Sequence, residues 1–111
     1  MIIAEWSFNV PKEKLEEFLG YSKEILKPFW KAHGAVSYSA YQCFNKQYFR
    51  YQESNNETRI VEHIYFKNIK NLENFLKISK ENKNTEEYKM QKSYESKFNV
   101  TNTIFRIYRE I

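Results

Sequence analysis

Hydrophobic periods that switch from two residues to about 3.6 and back predict an α+β chain in the order βαββαβ. Three observations carry this. Ile2 to Val10 alternates strictly, with Ile2, Ala4, Trp6, Phe8 and Val10 on one side and Ile3, Glu5, Ser7 and Asn9 on the other. Gly34 stops a helical pattern, and a two-residue pattern begins directly after it. Thr58 to Phe66 alternates again and runs into a second helical stretch. Two right-handed βαβ crossovers on one antiparallel four-stranded sheet make a ferredoxin-like sandwich with its helices on one face. The chain has 111 residues and reads as a single domain, 1–111, large enough to bury a core without disulfide or metal staples.

Each element has its own signal. Pro11 ends the first strand and suits the first turn of a helix, where its missing N–H costs nothing. From Lys12 to His33 the apolar positions are Leu15, Phe18, Leu19, Ile25, Leu26, Phe29 and Trp30, with a polar gap at Ser22. That spacing predicts one amphipathic helix of about six turns, kinked near its end by Pro28. The second strand puts Val36, Tyr38, Ala40 and Gln42 on one face and Ser37, Ser39, Tyr41 and Cys43 on the other. A bend is expected at Asn45-Lys46, further extended chain from Tyr48 to Tyr51, and a turn at Ser54-Asn55-Asn56-Glu57. The third strand, Thr58 to Phe66, sets Ile60, Glu62, Ile64 and Phe66 against Arg59, Val61, His63 and Tyr65. Asn68 fits the N-cap of a helix buried through Ile69, Leu72, Phe75 and Leu76. Asn82 to Asn84 breaks it, and Thr85 opens another helix with Tyr88, Met90 or Gln91, Tyr94 and Phe98 inward. Thr101 to Ile111 is the last strand.

Composition narrows the function. Aromatic residues make up 18% of the chain, a surplus that belongs in a core, a pocket or an interface. The net charge is +4, but lysines alternate with glutamates (Lys12, Glu13, Lys14, Glu16, Glu17), which describes a solvated face and not a nucleic-acid stripe. Cys43 is the only cysteine, so no intramolecular disulfide or thiolate cluster can form. With glycine only at positions 20 and 34 there is no phosphate loop, and without aspartate there is no Ser-His-Asp triad. The βαββαβ order is shared by RNA-recognition domains, but Gln47-Tyr48-Phe49-Arg50-Tyr51 lacks the glycine pattern of their central motif. No apolar run approaches a membrane span, and Met1 to Ala4 meets Glu5 too early for a signal peptide. The expectation is a cytoplasmic protein with neither nucleic-acid nor membrane partners.

Three stretches carry a resemblance. Ala4-Glu5-Trp6-Ser7-Phe8-Asn9-Val10-Pro11 runs into a Lys/Glu-rich helix; Gly34-Ala35-Val36-Ser37-Tyr38-Ser39-Ala40-Tyr41 has a glycine, a spacer and a tyrosine strand; Phe66-Lys67-Asn68 steps into Leu72. Together they resemble the dimeric α+β barrel superfamily that contains the antibiotic-biosynthesis monooxygenase-like proteins. The resemblance implies a homodimer paired through sheet faces, with each pocket between a subunit's own sheet and helices. It implies a small apolar or aromatic ligand, and cofactor-independent oxygenation as one activity. The chain departs from the oxygenase pattern at Phe66, Ile64 and Phe75, where such proteins commonly carry tryptophan, glutamate and histidine. Trp6 replaces the strand-one asparagine of haem-degrading members, so haem degradation is not expected.

Glu62 is the most informative residue, because its alternation points it with Ile60, Ile64 and Phe66 into apolar surroundings. A buried carboxylate must be paired, hydrogen-bonded or protonated. Glu62 and Tyr38 are the candidate catalytic pair, orienting or deprotonating a substrate; the plainer reading is a glutamate at the core's edge bound to Arg or Tyr. Trp6, Trp30, Phe66, Phe75 and Tyr88 could wall a pocket, although such stripes are usually core. Tyr41, His63 and Tyr65 face the other way and are expected in a dimer interface. A lone histidine is a poor metal site, so neither metal nor cofactor is expected. Two functions fit: a small-molecule-binding protein, or a non-catalytic dimeric structural or stress-related protein. A ligand-sized pocket favours the first and a packed interior the second.

Overall fold

Alternation at the N-terminus becomes β1 (Ile2–Pro11), the strand that the others flank. The computed structural model describes residues 1–43, 56–81 and 85–111. It contains β2 (Ser37–Gln42), β3 (Glu57–Phe66) and β4 (Thr101–Arg109) in one antiparallel sheet of order β2-β3-β1-β4. This is the ferredoxin-like arrangement, with β1 and β3 central. Ile2 pairs with Phe66, Trp6 with Glu62 and Phe8 with Ile60, so the predicted apolar sides of the two strands coincide. Ile2, Ala4, Phe8, Val10, Ile60, Ile64 and Phe66 are all buried there. The bend at 45–46, the extended stretch at 48–51, most of the turn at 54–57 and the break at 82–84 fall outside the described residues.

The first crossover is not one kinked helix. Lys12–Lys14 is a 3₁₀ turn, α1 covers Leu15–Tyr21, a π-helical turn spans Ser22–Leu26, and α2 covers Lys27–Ala32. Lys27 N–H bonds the carbonyl of Ser22, five residues back. Pro28 has no N–H for Glu24, and widening the turn just before it gives the proline ring room. The deformation therefore lies upstream of the proline. It also solves a register problem. Phe18, Ser22, Leu26 and Trp30 are four apart and all buried; in a regular α-helix that row would drift about 40° per step. One wide turn keeps it on the sheet. Gly34 adopts φ 101°, and Ala35 N–H reaches Trp30 O at 3.0 Å, closing the helix with a left-handed cap as expected.

In the second crossover, Asn68 accepts from Asn71 N–H at 3.0 Å and starts α3 (Ile69–Glu81). Leu72 and Phe75 are buried, but Ile69 is exposed, contrary to expectation, because it lies in the first turn beyond the edge of the core. Thr85 caps α4 (Glu86–Lys97) by accepting from Tyr88 N–H at 3.3 Å. Tyr94 and Phe98 are buried; Met90 and Gln91 are both half-buried, sharing the inner position. Asn99, at φ 50°, ends α4, with Val100 N–H on Glu95 O at 3.0 Å. Val36 is also exposed, since β2 begins only at Ser37.

The core is aromatic. Phe8 meets Phe18 edge-on at 5.6 Å and Tyr94 at 5.8 Å, while Trp30 packs on Phe75 at 4.4 Å and edge-on to Phe66 at 6.2 Å. Helices thus cover one sheet face only. The other face and all of β4 are open, including Ile104, Phe105, Ile107 and Tyr108. Among the described residues no helix is long and apolar enough to cross a membrane.

Candidate functional site

Three buried polar side chains meet under the first crossover. Tyr38, on β2, donates its hydroxyl to Glu62 Oε2 on β3 at 2.5 Å, and its oxygen lies 2.9 Å from Ser22 Oγ in the π turn. Their exposures are 4% for Tyr38, 3% for Glu62 and 5% for Ser22, so water reaches none of them freely. Strand alternation places the two sheet residues, and the wide helical turn places Ser22. The sequence-predicted pair Glu62 and Tyr38 is therefore brought together. Burial pushes the Glu62 carboxyl up to about 7, against the opposing pull of the Tyr38 hydrogen bond. Tyr38 is held above its ordinary range, first by burial and then by the negative charge of Glu62. Tyr94 is raised for the same reasons in the same order. Near neutral pH the carboxyl is divided between its two forms, while both tyrosines keep their protons.

Two spaces adjoin this cluster. On the inner side Glu62, Trp6, Leu26, Phe29, Trp30, Met90, Gln91 and Tyr94 line a void of about 10 Å³, room for about one water molecule. On the outer side Ser22 and Tyr38 reach an open groove of about 700 Å³ between the first crossover and β2. Leu19, Gly20, Ala40 and Tyr41 also line it, with Glu16, Lys23 and Lys27 at its charged rim.

The aromatic candidates divide. Trp6 and Trp30 wall the inner void, with rings 5.4 Å apart, and Trp6 also packs on Phe105 at 4.4 Å. Phe66, Phe75 and Tyr88 do not line it. Phe66 and Phe75 support Trp30 from behind, Phe75 also bordering an outer hollow beside His33. Tyr88 is half-buried on α4, with Lys92 Nζ 5.8 Å from its ring. Leu26, Phe29, Met90, Gln91 and Tyr94, which line the void, and Ser22, which lies against the Tyr38 hydroxyl, are not among the residues that the sequence marks as a site. The four-residue spacing of Phe18, Ser22, Leu26 and Trp30 was the signal for Ser22: a serine in an otherwise apolar row is held inward with them.

On the open face His63 Nε2 lies 2.8 Å from Glu5 Oε2, and Tyr108 donates to Glu5 Oε1 at 3.1 Å. Tyr41 and Tyr65 flank the His63 ring at 5.5 and 6.5 Å. The three residues expected at an interface thus share one uncovered surface. Arg59 anchors its far end by donating to Ser7 Oγ and Asn9 Oδ1 at 2.7 and 3.0 Å. His33 bridges helices instead: its Nδ1 lies 2.8 Å from Phe29 O and its Nε2 2.8 Å from Glu87 Oε1. Among the described residues no three His, Cys, Asp or Glu side chains gather as a metal site would require.

No protein-family profile matches the chain, and no curated relative matches it. Solved structures do. A proposed antibiotic biosynthesis monooxygenase from Deinococcus radiodurans superposes with a TM-score of 0.63 at 10% identity, over 99% of this chain and 92% of that one. A dimeric ferredoxin-like protein from an uncultured marine organism gives 0.60 at 10% identity, over 99% and 98%. An ethyl tert-butyl ether d (ethd) family protein from Bacillus halodurans C-125 gives 0.53 at 14% identity, over the whole of both chains. At these identities the likeness is one of fold: the chain is a ferredoxin-like α+β domain of the form seen in monooxygenase-like and dimeric ferredoxin-like proteins.

Proposed function

We propose that the chain binds a small aromatic compound beside Glu62 and removes a proton from it. One observation carries this reading: a carboxyl 3% exposed, raised to about 7, on the wall of an aromatic void. A base acts best when its pKa lies near the working pH, and a dry wall strengthens its pull on an acidic C–H or O–H. Trp6 and Trp30 supply stacking surfaces for an aromatic ring. Met90 and Gln91 are unbranched and half-buried, and their movement would enlarge the void to ligand size. Proton removal gives a protonated Glu62 and a carbanion or phenolate. Cofactor-independent oxygenation of an aromatic compound begins with such an anion, which passes electrons to dioxygen.

Two copies would pair through the open faces, burying Tyr41, His63 and Tyr65. The dimeric ferredoxin-like neighbour supports that pairing, as does the tyrosine-rich surface itself. A second reading, a non-catalytic dimer with a filled core, is favoured by the one-water size of the void. Native mass spectrometry of freshly purified protein separates the two. The first expects a dimer carrying an extra small-molecule mass, or one that takes up added aromatic acids and phenols. Loss of that uptake in Trp6→Ala would place it at the void. A bare dimer that ignores every such compound would establish the second.

A further inference from the structure

We propose that Tyr38 and Ser22 form a proton relay that connects Glu62 to the outer groove. This rests on the reading of Glu62 as a base, because a base that takes a proton must lose it before acting again. The inner void is narrow, with room for about one water, and Trp6, Phe29, Trp30 and Tyr94 are among the side chains that wall it. The hydrogen-bonded chain leads the other way. Glu62 borders the void but not the groove, whereas Tyr38 and Ser22 border the groove but not the void. The three groups stand in line at 2.5 and 2.9 Å, and each hydroxyl can both donate and accept.

The transfer balances without a charged intermediate. Protonated Glu62 donates to the Tyr38 oxygen as the Tyr38 proton moves to Ser22 Oγ and the Ser22 proton moves to a groove water. Each oxygen of the relay makes one O–H bond and breaks one. The products are the carboxylate and a protonated water, which Glu16 at the groove's rim or the buffer accepts. Burial disfavours a free tyrosinate, so the shift is concerted. Rotation of the two hydroxyls then restores the observed arrangement, with Tyr38 donating to Glu62. Tyr94 also faces Glu62 electrostatically but does not border the groove, and is no part of this path.

Proton release is measurable without any ligand, so this idea and the ligand reading fail separately. Time-resolved infrared spectroscopy follows the carboxylic-acid band of Glu62, identified by its absence in Glu62→Gln, after a jump from below to above its midpoint. Tyr38→Phe and Ser22→Ala should each slow release on the order of a hundredfold, the low end for a positioned proton-transfer group. Ser22→Thr, which keeps the hydroxyl, should restore the parent rate. Ser22→Ala leaves the Tyr38–Glu62 bond in place and serves if Tyr38→Phe does not fold. Release as fast in Ser22→Ala as in the parent would overturn the proposal, leaving the two hydroxyls as partners that merely satisfy Glu62. Equal slowing in Ser22→Thr and Ser22→Ala would overturn it as well, since the hydroxyl would not be the carrier.

Discussion

Glu62 and His63 are neighbours in β3 that point to opposite faces of one sheet, and their surroundings differ in kind. Glu62 lies under helices with a neutral hydroxyl for a partner, so its charge is opposed by burial. His63 lies on the open face with its Nε2 2.8 Å from Glu5 Oε2, beside tyrosines. The first face is closed by its own chain and stores a titratable group. The second is unfinished, with apolar and aromatic side chains left to meet another surface. One strand thus presents a buried carboxyl on one face of the sheet and a histidine–carboxylate contact on the uncovered face.

Truncating one aromatic residue on each face breaks this comparison most severely. Phe8 is fully buried between Phe18 and Tyr94, and Phe8→Ala should cost about 3–5 kcal/mol. That is a large part of the roughly 5–15 kcal/mol that a domain has. Tyr65→Ala on the open face should leave the monomer's unfolding free energy within about 1 kcal/mol of the parent, while weakening self-association. Denaturant melts at concentrations where both chains are monomeric, with sedimentation at higher concentration, separate the effects. Equal losses for the two variants in the monomer would mean that the open face is not an assembly surface.

The pH dependence of stability sharpens the same contrast. The Glu62 carboxyl rises from 4.5 to about 7 on folding, so between those values the folded chain holds more protons than the unfolded one. Its contribution is fully present below about 4.5 and lost as pH rises through about 7, about 3 kcal/mol in total at roughly 1.4 kcal/mol per unit. Glu62→Gln removes the titration. Parent and variant should therefore converge at low pH, and the variant should gain by about 3 kcal/mol above pH 8. A difference that stays flat across pH would show that Glu62 ionises as it does in water.

Much of this was legible in the residues. Strict alternation gave β1 and β3, and with them the burial of Glu62, because a period of two leaves no choice of face once Ile60 and Ile64 are placed. Gly34 and Asn68 announced their caps through backbone chemistry that acts locally. What could not be read was non-local. The π turn answers both to Pro28 and to the need to keep Phe18, Ser22, Leu26 and Trp30 on the sheet, and only packing reveals the second demand. Phe66 and Phe75 looked like pocket wall because hydrophobicity does not distinguish a lining residue from one behind it. Ile69 and Val36 sit in periodic patterns that run past the edge of the core.

The smallest expected effect bears on the groove. Gly20 sits inside α1, where glycine is less favourable than alanine by roughly 0.5–1 kcal/mol. A left-handed backbone is not the reason, since Gly34 is the glycine with positive φ. Nor does close packing explain it: among the described residues nothing lies within 4 Å of where a Cβ would stand. Gly20→Ala should accordingly stabilise the chain by about 0.5–1 kcal/mol in a denaturant melt. Its methyl would project beside the groove that Ser22 and Tyr38 border, without touching the hydroxyl chain, so the Glu62 midpoint should not move. A loss of stability instead would mean that something occupies the space beside Gly20 in solution. In that case the outer end of the relay would meet an occupant and not water, and Ser22 would need another acceptor for its proton.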